Sequence, residues 1–125
     1  MSKYEDVNNF LKKTKTYIID HNIFLVKKTQ DDIMNLGLTH EIVKKYILEL
    51  EIEDYVEGPL IDKQYNGCEL WVFGIFLKDI HEEIYIKLSS RLDNQRPVCV
   101  SFHKSYKPLN YPFKTNTQNS KPLRI

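Results

Sequence analysis

The chain is poor in the features that mark disulfide-stapled, metal-bound or cofactor-bound proteins. It has 2 cysteines. Cys68 and Cys99 lie far apart, outside any CxxC spacing and beside no His/Cys cluster, which argues against a disulfide framework and against a zinc site. With only 4 glycines, it carries neither a Gly-rich phosphate loop nor a dinucleotide fingerprint, and no internal repeat is visible. No apolar run approaches the roughly 18 residues that a membrane helix needs, and the opening MSKYEDVNNF lacks the apolar centre of a secretion signal. The expectation is a cytosolic protein with no metal, no cofactor and no membrane contact.

What is present suits a single hydrophobic core. A chain of 125 residues with 42% hydrophobic and 12% aromatic residues has enough apolar surface to offset the entropy of folding, and room for one domain. That domain is expected over residues 1–113. Residues 114–125, rich in Asn, Thr, Ser and Lys, are expected to form a disordered tail.

The net charge of +1 conceals an uneven distribution, and partners respond to local fields rather than totals. Between Glu41 and Glu69, 8 acidic residues stand against Lys44, Lys45 and Lys63. From Lys87 onward, Lys87, Arg91, Arg96, Lys104, Lys107, Lys114, Lys121 and Arg124 stand against Asp93 alone. This basic third is interleaved with Tyr106, Tyr111 and Phe113, a pattern that can hold phosphates while rings stack on bases; charge alone favours the blander reading, a solvated tail.

Periodicity predicts α+β. Val7, Phe10, Leu11, Thr14, Tyr17 and Ile18 recur at helical spacing, with Asn22 as a stop. Ile23 to Val26 is a short β-prone run. Thr29 is read as the cap of a short helix that Gly37 ends, and Thr39 as the cap of a third helix with Ile42, Tyr46, Ile47 and Leu50 as its buried stripe. The stretch IEDYVEGPLIDKQYNGC, with its Gly58-Pro59 and Asn66-Gly67 turn signals, reads as a connecting segment. Leu70–Leu77, Glu83–Leu88 and Val98–His103 then read as the strands of an antiparallel meander joined by polar turns.

Alternation along strands brings chemistry together. If Ile84, Ile86 and Leu88 face the helices, Tyr85 and Lys87 face away; if Val98, Val100 and Phe102 face the core, then Cys99, Ser101 and His103 project outward. Tyr85, Lys87, Ser101 and His103 then share one face. A phenol, an ammonium and an imidazole are the groups that RNA cleavage by its own 2′-hydroxyl requires without a metal: a base for the 2′-OH, an acid for the departing 5′-oxygen, and a cation for the phosphorane. Proton transfer is assigned to His103, the non-bridging oxygens to Lys87, and phosphate contact or proton relay to Tyr85, with Ser101 as a hydrogen-bond donor. Solvated sheet faces also carry such residues for no chemical reason. Arg91, Arg96, Lys104 and Lys107 are read as grips on the RNA backbone, against the simpler role of solubilising turns. Trp71 and Phe73 are read as packing residues, His81 as a solvated loop residue, and His21 and His40 as structural.

Taken in order, LGLT at 36–39, ILELEIEDY ending at Tyr55, Gly58-Pro59, LWVFG at 70–74, EIYIKL at 83–88 and VSFH at 100–103 resemble the MqsR toxin family. The resemblance spans residues 36–113 and lies in the order and spacing of short motifs, none diagnostic alone. It implies a RelE-like fold, with N-terminal helices on one face of a curved antiparallel sheet. It also implies cleavage of mRNA and neutralisation by a cognate antitoxin. Carried over by position, the family's tyrosine falls on Tyr85, its lysine on Lys87, and the basic residue closing the SF motif on His103. Two positions depart from the pattern. The glutamine after the tryptophan is Val72 here, and the lysine after the third helix falls near Glu57. These departures motivate an alternative, a catalytically silent RNA-binding or protein-interaction module. Related RelE-like toxins use a C-terminal histidine as acid or base, which is the role the resemblance gives His103.

Overall fold

The computed structural model describes residues 3–114. The expected C-terminal tail therefore lies outside the described residues, except for Lys114. The elements run α1 (Lys3–His21), β1 (Phe24–Leu25), α2 (Lys27–Asn35), α3 (His40–Leu48), a single 3₁₀ turn (Ile52–Asp54), β2 (Tyr55–Ile61), β3 (Glu69–Leu77), β4 (Glu82–Asp93) and β5 (Arg96–Lys104). The strands form one sheet in the order β1-β5-β4-β3-β2. Three helices and a five-stranded sheet make the α+β class plain. The sheet is mixed rather than wholly antiparallel, because β1 adds to the edge of β5 in parallel. No helix among the described residues is long and apolar enough to cross a membrane.

The core forms where α1 buries Val7, Leu11 and Ile18 and α3 buries Val43, Tyr46 and Ile47 against Ile84, Ile86, Leu88 and Phe102 of the sheet. Ile42, expected in the α3 stripe, is exposed, and Val43 takes its place. Trp71 packs as expected, its ring stacked on Phe10 with centroids 4.8 Å apart, a contact that adds about 0.5–1.5 kcal/mol to the area it buries.

Local signals fixed most boundaries. Asn22 ends α1 in a left-handed conformation (φ 81°), which asparagine tolerates better than most residues. Gly37 ends α2 at φ 76°, where the Leu38 amide donates to the Ile33 carbonyl at 2.9 Å, closing a Schellman-type cap. The Thr39 hydroxyl accepts from the Ile42 amide, as expected of a cap.

Thr29 behaves differently. Helix α2 begins two residues before it, so Thr29 is interior and fully buried, and its hydroxyl donates to the Val100 carbonyl at 2.9 Å.

The predicted connecting segment after α3 contains strand β2. Its signals of disruption are real but belong to an edge strand, where a proline costs no ladder bond. Register shifts occur on either side of Glu57, and a Cβ on Gly58 would lie 2.8 Å from the Leu70 carbonyl oxygen. The predicted polar turn after β4 is likewise mostly strand. The chain reverses only at Asn94 and Gln95, both at positive φ, as a two-residue hairpin turn requires.

Candidate functional site

Strand alternation on β4 holds: Ile84, Ile86 and Leu88 are buried in the core, and Tyr85 and Lys87 lie on the opposite face. On β5 it holds only in part. Tyr85 pairs with His103, Ile86 with Phe102 and Lys87 with Ser101, but Leu88 then pairs with Cys99. Val100 is an extra residue, a β-bulge. Beyond it the phase of the strand reverses, so Cys99 enters the core, while Val98, though fully buried, and the half-buried Val100 do not join the core cluster. The expected core set Val98, Val100, Phe102 is corrected to Cys99 and Phe102, and Cys99 is corrected from outward to inward. Burial pushes the Cys99 thiol up to about 12, which makes it an unreactive packing group. The Val100 carbonyl, displaced from the ladder, is the one that Thr29 satisfies.

The outward half of β5 keeps the expected arrangement at Ser101 and His103. The imidazole of His103 stacks on the Tyr85 ring, with centroids 5.2 Å apart and planes 13° from parallel. Tyr106 stacks on His103 in turn, at 5.6 Å. Nδ1 of His103 lies 2.9 Å from the Lys104 carbonyl oxygen. A carbonyl can only accept, so Nδ1 carries the hydrogen, and in the neutral ring the lone pair is left on Nε2. The Lys87 ammonium sits 5.7 Å from the Tyr85 ring centroid, with no carboxylate partner among the described residues. Burial pushes the Tyr85 phenol above its ordinary range, and the Glu57 carboxylate pushes it further. At neutral pH Tyr85 therefore keeps its hydrogen and acts as a donor.

Tyr85 and His103 open into a cavity of about 560 Å³, which Glu57, Tyr106, Lys107 and Leu109 also line. The segment 105–111 forms its lip by crossing the face of the sheet opposite the helices. The Glu83 carboxylate accepts from the Leu109 amide at 3.1 Å and from the Tyr111 hydroxyl at 2.7 Å. Farther along, Phe113 stacks on Tyr55 at 5.2 Å and meets Tyr4 edge-on. Gly74 lets this strap lie down, since a Cβ there would come within 2.4 Å of the Tyr111 hydroxyl and 2.6 Å of Leu109 Cδ1. Of the three aromatic residues expected to offer rings to bases, Tyr111 and Phe113 are thus engaged in holding the strap, and Tyr106 remains 86% exposed.

The predicted basic residues divide. Arg91 and Lys87 line a second cavity, and Lys107 lines the first. Arg96 is held at the hairpin by Asp93 and lies over the Phe24 ring. Lys104 pairs with Glu82 at 3.3 Å and, one residue on from His103, belongs to the other face of β5. Neither Arg96 nor Lys104 lines the Tyr85–His103 cavity. His81 is exposed in its turn against Phe76, and the His40 ring contacts the Ile23 carbonyl.

The two departures from the family pattern also have places. Val72 is fully buried and pairs with Lys87 in register, while Glu57 pairs with Val72 on its other side. Sequence reasoning missed Glu57 as a wall of the cavity and Tyr106 as a partner of the imidazole. The available signal for Tyr106 was an aromatic residue three positions past a strand-ending histidine, in a stretch already marked as basic and aromatic. Comparison with family models, with curated proteins and with solved structures found no match for the chain.

Proposed function

We propose that this chain is an endoribonuclease of the MqsR-like, RelE-fold kind, which cleaves single-stranded mRNA in the cytosol and is held in check by a cognate antitoxin. The observation that carries the reading is the stacked Tyr85–His103 pair, with an imidazole whose free nitrogen is Nε2 and an unpaired ammonium beside the phenol. In the proposed reaction His103 Nε2 takes the proton of a ribose 2′-hydroxyl as that oxygen attacks the adjacent phosphorus. The bond from phosphorus to the 5′-oxygen breaks, and the products are a 2′,3′-cyclic phosphate and a 5′-hydroxyl end. Lys87 offsets the charge that grows on the non-bridging oxygens. Tyr85, protonated at neutral pH, passes its phenol proton to the departing 5′-oxygen, which leaves as the 5′-hydroxyl, and the proton gained by His103 restores the phenol through solvent. No step in this scheme is assigned to a metal.

The test is cleavage of a defined single-stranded RNA by the purified chain in EDTA, with end-group analysis of the products. Cyclic phosphate ends are expected, and a single 2′-deoxy substitution should block cleavage at that position. His103→Ala should lower the rate about 10²–10⁴-fold, and Lys87→Ala about 10²–10³-fold. Cleavage that persists in the double variant would remove this site from consideration.

A second reading, a catalytically silent RNA-binding or protein-interaction module, draws on Val72 and Glu57. An apolar side chain stands where the family has an amide, and a carboxylate faces the phenol where the family has a cation. Salt-sensitive RNA binding without products would favour it.

A further inference from the structure

The second cavity, of about 740 Å³, lies beside Lys87 between β2, the β2–β3 loop and β4, with Val26 and Val100 on its far wall. We propose that it is a nucleotide subsite of the same enzyme, taking one unstacked base and its phosphate from single-stranded RNA next to the bond that is cut; this rests on the RNA reading above.

Three observations carry it. The first is electrostatic. Lys63, Lys87 and Arg91 line the cavity and have no carboxylate partner among the described residues. The one carboxylate in the lining, Asp62, accepts the Gln64 and Tyr65 amides at its Oδ1, at 2.9 and 3.2 Å. Arg91 Nε is moreover buried without a hydrogen-bond partner among the described residues. A cluster of three cations without carboxylate partners among the described residues, two of them half-buried, favours an anion.

The second observation is stacking. The Arg91 guanidinium carbon lies 3.8 Å from the centre of the Tyr65 ring, and Tyr65 is 40% exposed. Guanidinium planes and tyrosine rings are the surfaces on which unpaired bases stack. The loop that presents Tyr65 is tied down by Asp62 and by bonds between the backbones of Asp62 and Cys68 and of Cys68 and Tyr65. The platform therefore exists before a ligand arrives.

The third is continuity. Lys87 lines this cavity on one side and stands beside the Tyr85 ring on the other. A strand seated over Tyr65 and Arg91 is led across Lys87 to His103 and Tyr106. The volume holds one nucleotide, and a base inside a duplex could not enter it.

The experiment uses the full chain and a 2′-O-methyl oligonucleotide, which cannot be cleaved and carries one 5-iodouridine. Affinity and photo-crosslinking are both read, with Trp71 emission and urea unfolding as checks on folding. Tyr65→Ala should weaken binding about 5- to 100-fold, and Arg91→Gln should lower the slope of log affinity against log salt by about 0.7. Lys63→Glu, at an exposed position, should weaken binding without touching the fold. The crosslink should map to Tyr65. Wild-type affinity in all three variants, or crosslinks confined elsewhere, would overturn the subsite, as would capture of an acidic peptide by this cavity in place of RNA. Binding that depends on Tyr65 and Arg91 in a chain that never cleaves RNA would keep the subsite and refute the nuclease reading, so the two failures are distinguishable.

Discussion

Replacing Gly74 with alanine tests whether the strap over the sheet is a built part of the site. The added Cβ would lie 2.4 Å from the Tyr111 hydroxyl, 3.1 Å from its Cε1 and 2.6 Å from Leu109 Cδ1, each short of ordinary carbon contact. Something must move by about 1 Å to restore normal contact distances. The phenol is not free to move, because its hydroxyl donates to the Glu83 carboxylate while the Leu109 amide donates to the same group. Overpacking of this kind costs about 1–3 kcal/mol, and a hydrogen bond to a charged acceptor contributes about 1.5–3 kcal/mol. Gly74→Ala is therefore expected to lose about 2–3 kcal/mol in urea unfolding followed by Trp71 emission. Tyr111→Phe removes the hydrogen bond and the nearest of the three atoms the new methyl strikes, and leaves Leu109 Cδ1 in its way. The double variant should then fall short of the sum of the single losses by more than about 0.5 kcal/mol. RNA binding should weaken alongside, since Tyr106 and Lys107 ride on the displaced segment. A Gly74→Ala protein within about 0.5 kcal/mol of its parent, or strict additivity with Tyr111→Phe, would refute this account of the strap.

Three further outcomes are expected. Glu57→Gln removes the second cause of the raised Tyr85 value and leaves burial in place; ultraviolet titration should find the phenol lower than in the parent but still above the ordinary range, and RNA affinity should rise. Thr29→Val leaves the Val100 carbonyl without its buried donor, which should cost about 1–3 kcal/mol, measured by thermal unfolding. Tyr111 is raised in the folded state by burial and by its bond to Glu83. Its contribution to stability is therefore complete below the unfolded value near 10 and falls as pH rises beyond it; Tyr111→Phe should flatten the alkaline limb of a stability–pH curve.

The parts of the fold that were legible in the sequence are those set by local chemistry. Thr39, Gly37 and Asn22 mark helix ends because a hydroxyl, a missing Cβ or a short amide side chain acts within a few residues of itself. The 2-residue period of β4 placed Tyr85 and Lys87 correctly for the same reason. What escaped depends on contacts between distant segments. Strand β2 was hidden because Gly58 and Pro59 mean a turn in isolation and an edge strand only when Leu70 lies alongside. The strap was invisible because its anchors, Glu83 and Gly74, sit 26 and more residues from the groups they hold. Thr29 read as a cap because nothing nearby announces that its hydroxyl is needed 71 residues away.

The bulge at Val100 makes β5 a strand with two phases joined by a hinge of a single amino acid. Upstream, Cys99 locks one phase to the core; downstream, Phe102 locks the other. Removing that residue would reconcile them: Cys99 and Phe102 would then stand two positions apart, and both would keep their seats in the core. The imidazole would still face Tyr85; what would go is the carbonyl that Thr29 binds and one side chain lining the second cavity. The surplus amino acid thus serves the seam with α2 and the second cavity, while the seat of His103 would survive its loss.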